Sequence, residues 1–184
     1  MMELKLNELF QNGMVLQQGK KICVWGIAEP GSQIRVELQG QQKGTAVMED
    51  GSFEVWLESL TASDDEQMLV TDGRSTIYLR DIAVGEVWLA GGQSNMEFWM
   101  RYEKHIKEVR KNCDNPRVRF FDVPEIAYEG QREQFDYSRM AIWRKADSEN
   151  IDYFSGVAYY FAAKLERELN VPVGVIGCNW GGTT

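Results

Sequence analysis

One histidine and three cysteines occur among the 184 residues, and each scarcity excludes something. A lone imidazole, His105, cannot build a His-rich metal site, yet it is the one side chain that ordinarily titrates near neutrality. Cys23, Cys113 and Cys178 are odd in number, widely spaced and without a Cys-x-x-Cys pair, so structural zinc is excluded and buried free thiols are expected. No apolar run approaches the roughly 20 residues of a membrane span. The opening MMELKLNELFQNGM contains Glu3 and no uninterrupted apolar stretch, so it does not read as a signal peptide. A cytoplasmic protein is expected, or a mature form whose leader has been removed. Positive charge is also short: 20 Lys and Arg stand against 28 Asp and Glu, a net charge of −8. That balance argues against nucleic acid or an anionic membrane as partner, because both require a basic surface.

What is present falls into two rhythms. From about Leu16 to Asp81, short runs alternate apolar and polar residues, as in Ile22–Trp25, Ile34–Leu38, Phe53–Leu57, Gln67–Val70 and Thr76–Leu79. Turn signals separate them at Glu29-Pro-Gly31, Gln39-Gly40, Asp50-Gly51 and Asp72-Gly73. The Asp-Gly pairs suit two-residue hairpins whose central positions both have positive φ. Alternation puts Ile34, Val36 and Leu38 on one face, so a small antiparallel β-sandwich is expected.

After Ile82 the rhythm changes. Val84 to Ala90 is nearly all apolar, as a strand covered on both faces would be. Trp99, Tyr102, Ile106 and Val109 predict a helix over Met96–Asn112, followed by a strand at Val118–Asp122. Val157, Ala158, Phe161, Ala162, Leu165 and Leu169 predict a helix over Ser155–Asn170, with Ser155 as N-cap. Val173–Gly177 predicts another buried strand. Strand, helix, strand, helix, strand implies a parallel sheet. Residues 124–152 have no clear period, and no internal repeat is found.

Within Gly85-Glu-Val-Trp-Leu-Ala-Gly-Gly-Gln-Ser-Asn-Met96, Ser94 stands at a strand exit and a helix entry. Trp180-Gly-Gly-Thr183 stands at the exit of a later strand. In an open parallel sheet both ends face the same crevice, where ligands bind. Unpaired N–H groups there suit the oxyanion of acyl transfer. The alternative is a plain helix cap beside a glycine turn. The motif is not the Gly-x-Ser-x-Gly elbow, because Met96 holds the final glycine position.

The run Asp81–Glu97 resembles the nucleophile block of the sialate O-acetylesterase family, carbohydrate esterases with an SGNH-hydrolase catalytic domain. Asn12–Gln17 with Val24–Gly31, Asn115–Phe120, Phe154–Phe161, Val171–Gly177 and Trp180–Thr183 are similar to further family segments in the same order. The resemblance implies an α/β fold: a β-sandwich over residues 1–81, then part of a flavodoxin-like, three-layer SGNH sandwich with a parallel sheet over 82–184. It implies Ser94 as nucleophile, with its own N–H and one glycine of Gly181 and Gly182 facing the oxyanion, and with Gln93 and Asn95 flanking the site. The implied reaction removes acetyl groups from sugar hydroxyls through an acetyl-enzyme, with an acetylated carbohydrate as substrate and no metal or organic cofactor.

The family's Gly-Glu oxyanion donor and Asp-x-x-His base would follow the second block, and neither occurs here. His105, about 16 Å along a continuous helix from Ser94, reads as a solvated residue in a charged run. An incomplete catalytic domain is therefore expected, with the Val173–Gly177 strand left at an unpaired edge. That edge would invite self-association or a C-terminal half supplied as a separate chain. The alternative function is a non-catalytic carbohydrate-binding or assembly module using exposed aromatics such as Trp99 or Trp143.

Overall fold

Gln39 and Gly40 make a two-residue hairpin turn with both φ values positive, 46° and 71°, and the strands they join pair Leu38 with Gln41. This is the geometry expected at the two Asp-Gly pairs, where the structure differs. Only Gly51 and Gly73 have positive φ there. The aspartates turn the chain instead by accepting local N–H groups: Asp50 from Ser52 (2.9 Å), and Asp72 from Arg74 (2.9 Å) and Ser75 (2.6 Å).

The computed structural model describes residues 2–134 and 136–182; Thr183 of the second motif lies outside the described residues. Contacts divide the chain into two units, Met1–Gly85 and Glu86–Thr184. The first contains β1 (Lys5–Leu6), β2 (Val15–Gln17), β3 (Ile22–Ile27), β4 (Gln33–Leu38), β5 (Gln41–Ala46), β6 (Ser52–Leu57), β7 (Ser63–Thr71) and the start of β8 (Thr76–Gly92). One sheet has the order β1-β3-β6; in the other β8, β7, β4 and β5 follow one another, with β2 parallel to β8. The expected alternation places Ile34, Val36 and Leu38 in the core with Val24, Val55 and Val70. Strand β5, QQKGTA, carries no apolar pattern and is held by its ladder to β4.

The second unit contains residues 86–92 of β8, then α1 (Ser94–Glu97), α2 (Ile106–Val109), β9 (Asn115–Asp122), β10 (Trp143–Ala146), α3 (Gly156–Leu169) and β11 (Val173–Asn179). Strand β11 lies between β8 and β9, parallel to both, and β10 adds antiparallel to β9. The Val173–Gly177 strand is thus central rather than an edge: the last strand in sequence enters between the first two. On the flank of Trp88–Gly92 away from β11, no strand is paired among the described residues. Trp88 and Leu89, expected to be covered, are 46% and 69% exposed.

Helix α3 forms where its period predicts. Ser155 caps it by accepting from the Ala158 N–H (3.2 Å), and Asn170 ends it in the left-handed region. Ala158, Tyr159 and Ala162 pack with Phe154, Phe120, Val118, Val173 and Val175, and Met100 and Ile106 join the same core. Full burial of side chains such as Phe120 and Phe154 contributes roughly 2–3 kcal/mol each. Helices α1 to α3 all pack into this core, so the described residues form two layers here where three were expected.

The helix expected over Met96–Asn112 is broken. Its pieces are α1, a 3-10 turn at Met100–Tyr102 and α2, with Trp99 and Glu103 extended between them. The cause is a long-range partner. Met100 N–H donates to Phe154 O and Gly156 N–H to Phe98 O, both at 2.8 Å, which draws the chain into a β-bridge. Of the expected buried thiols, Cys113 is buried, whereas Cys178 is exposed.

Candidate active site

Two hydrogen bonds join the carboxyl ends of β8 and β11. The Asn179 side-chain amide donates to Ala90 O (3.3 Å), and the Trp180 N–H donates to Gly92 O (3.2 Å). The chain after β11 is thereby carried to the start of α1. A Cβ on Gly181 would stand 3.6 Å from Ser94 Cα, an ordinary contact, and 2.3 Å from the end of the Glu97 side chain, which would have to shift. Gly182 has open space around it and φ +81°. The structure therefore brings Gly181, not Gly182, against Ser94.

Ser94 is the first residue of α1 and does not cap it. Gln93 occupies the N-cap position, makes no side-chain cap bond, and accepts through its carbonyl from Met96 (2.8 Å) and Glu97 (2.9 Å). The Ser94 and Asn95 N–H groups are left without an intrahelical acceptor. Gln93, Ser94 and Asn95 are all exposed, and among the described residues the Ser94 hydroxyl has no hydrogen-bond partner. Ser155 presents the contrast: its hydroxyl caps α3 and also donates to Met96 O (2.5 Å), fastening α1 to α3.

The N–H of Gly181 donates to the Glu97 carboxylate at 2.5 Å. Glu97, Phe98, Trp99 and Tyr102 line, with Ser94, an open depression of about 390 Å³. Asp122 closes β9 opposite Gly177, whose missing Cβ would otherwise stand 2.7 Å from its carboxylate. Burial, partly opposed by Arg144 and reinforced by Glu125 and Glu97, pushes the Asp122 carboxyl up to about 7. Glu125 is raised by burial and then by Glu97. His105 is exposed, and its backbone N–H donates to the Glu103 carboxylate (2.5 Å). With the helix broken, the axial distance from Ser94 to His105 no longer applies. Among the described residues no group of three His, Cys, Asp or Glu side chains is placed to hold a metal ion.

A human sialate O-acetylesterase is 29% identical over 94% of this chain, and the mouse protein is 30% identical over 94%. The chain resembles the sialate O-acetylesterases. It spans about a third of their length, 36% of the human and 35% of the mouse protein. No protein-family model matches the sequence. A solved carbohydrate acetylesterase of Xanthomonas citri superposes with a TM-score of 0.88 at 28% identity, covering 99% of this chain and 41% of that one. The mixed α/β fold, with extensive sheet and few helices, is shared with that carbohydrate acetylesterase.

Sequence reasoning did not single out Glu97 and Asp122. Asp122 carried the same signal as Ser94, since it is the last residue of a strand in a parallel sheet. Glu97 carried none: its role depends on a turn 84 residues away.

Proposed function

We propose that the chain carries the nucleophile region of a carbohydrate O-acetylesterase, with Ser94 attacking the acetyl carbonyl. The observation that supports this best is the approach of Gly181 to an exposed, unengaged Ser94 at the carboxyl ends of adjacent parallel strands. Attack forms an Oγ–C bond and a tetrahedral oxyanion; its collapse releases the sugar hydroxyl and leaves an acetyl-serine, which water hydrolyses. The Ser94 and Gly181 N–H groups are the proposed oxyanion donors, Gly181 after Glu97 yields its hydrogen bond, while Gln93 and Asn95 border the substrate. The parallel strands β8, β11 and β9 are read as part of a flavodoxin-like SGNH sheet.

A serine hydroxyl is a weak nucleophile without an adjacent base. The sole histidine, His105, is exposed on another segment, and among the described residues no base is hydrogen-bonded to the Ser94 hydroxyl. Acetate release from an O-acetylated sugar by the chain alone is expected to be slow and to rise with free imidazole, which supplies a base in solution. The imidazole-dependent increment should vanish in Ser94→Ala. Brisk hydrolysis without imidazole, unchanged by Ser94→Ala, would overturn the reading.

A further inference from the structure

Among the described residues, Glu97 is the one carboxylate lining the Ser94 depression; its companions there are Ser94 and the aromatic side chains of Phe98, Trp99 and Tyr102. Half-buried, it accepts the Gly181 N–H, the donor that the approach of Gly181 to Ser94 would otherwise offer to a ligand. A hydrogen bond to an ionised acceptor is roughly twice as strong as one between neutral groups, so the neutral carbonyl of an ester competes poorly for this N–H. A developing oxyanion is a stronger acceptor, but it would have to form beside a second negative charge.

The contact is not needed to hold the turn. The Asn179 side chain on Ala90 O and the Trp180 N–H on Gly92 O already tie the chain after β11 to the end of β8. Space for the carboxylate is nevertheless kept, because a Cβ on Gly181 would stand 2.3 Å from it. The closed position also lies among like charges. Burial is the chief cause that raises the Asp122 and Glu125 carboxyls, and the charge of Glu97 adds to both. The open depression, about 390 Å³, gives the side chain somewhere to swing. A carboxylate held by a backbone N–H, pushed by two neighbours and bordering open space has two positions available.

We propose that Glu97 is an autoinhibitory side chain: its carboxylate keeps the Gly181 N–H closed to oxyanions, and the donor opens when the side chain swings into the depression. The closure stands on the contact itself; its effect on rate rests on the esterase reading.

The test combines acetate release with formate, the smallest carboxylate, as a probe of the open donor. In Glu97→Ala the imidazole-dependent release should rise about tenfold, the scale of removing a hydrogen bond to a charged group. Glu97→Gln keeps the length without the charge and should rise less. Formate should slow Glu97→Ala back toward the parent rate and leave the parent unchanged. Amide NMR gives a reading that needs no catalysis: the Gly181 N–H signal should move upfield in Glu97→Gln, and formate should move it in Glu97→Ala but not in the parent. Where Glu97→Ala fails to melt cooperatively, Glu97→Gln carries the same measurements. Release that is unchanged or lower in well-folded variants would make Glu97 a support for the turn and overturn the proposal. So would formate moving the Gly181 signal equally in parent and variant. Absence of Ser94-dependent release from every variant, with formate reaching Gly181 only in Glu97→Ala, removes the esterase reading and leaves the closure standing.

Discussion

The backbone N–H of Gly181 and the carboxylate of Glu97 are hydrogen-bonded at 2.5 Å across 84 positions of sequence. The bond fixes the turn after β11 against α1, and it occupies the donor that an oxyanion would need. A charged side chain thus stands in the place of the proposed reacting group.

Substitution at the two glycines should separate their roles. In Gly181→Ala the new methyl would stand 2.3 Å from the Glu97 carboxylate, so the carboxylate or the turn must shift. Alanine keeps the backbone N–H, so imidazole-dependent acetate release should fall, by up to about 10²-fold, where the turn moves and carries that N–H away from Ser94, and should hold or rise where only the Glu97 side chain moves. Gly182→Ala meets no atom but has φ +81°, and should cost about 1 kcal/mol of stability with a smaller effect on rate. A rate loss in Gly182→Ala larger than in Gly181→Ala would overturn the assignment of Gly181 as the donor.

The two serines at helix starts make a paired prediction. Ser94 is exposed and its hydroxyl is unengaged among the described residues, so Ser94→Ala should change unfolding free energy by less than about 0.5 kcal/mol. Ser155 is 2% exposed and bonds to both Ala158 and Met96. Ser155→Ala should cost about 1–2 kcal/mol in urea unfolding, the range of a lost N-cap. A large stability loss in Ser94→Ala would return that serine to a structural role.

Local pattern made some of this legible. Ile34, Val36 and Leu38 alternate because one face of β4 is buried and the other is wet, and α3 announced both its period and its cap. Residues 98–100 did not show their conformation, because the hydrogen bonds that unwind them come from 154–156. Strand β5 is polar throughout and owes its form to its neighbour. Ser94 and the glycine turn could be paired from strand exits alone, whereas the choice of Gly181 over Gly182 required the actual approach of two backbones.

Asp122 should make stability depend on pH. Its carboxyl binds a proton more tightly folded, at about 7, than unfolded, near the ordinary carboxylate value of about 4. Between those values the folded state holds more protons, so the contribution of Asp122 to stability falls as pH rises from about 4 to about 7. The full effect is on the order of 4 kcal/mol. Urea unfolding of the parent and of Asp122→Asn at pH 4.5, 6 and 7.5 should show the parent losing stability relative to the variant across this window. A constant difference would mean that the carboxyl titrates normally. Glu97→Gln removes one of the charges that raise it, and should shift the Asp122 titration downward in NMR.

The exposed end of β8 should govern association. Trp88 and Leu89 are 46% and 69% exposed, and their strand has no partner on the flank away from β11 among the described residues. An apolar strand edge is a template for pairing with another chain, and natural sheets blunt such edges with charge. Trp88 also meets the Phe161 ring at 5.1 Å, so changing it would disturb the packing of α3. Leu89 is on the opposite face and is the cleaner probe. The chain should show concentration-dependent association in analytical ultracentrifugation, and Leu89→Lys should reduce it without lowering the melting temperature. Association unchanged by Leu89→Lys would assign the contact to another surface.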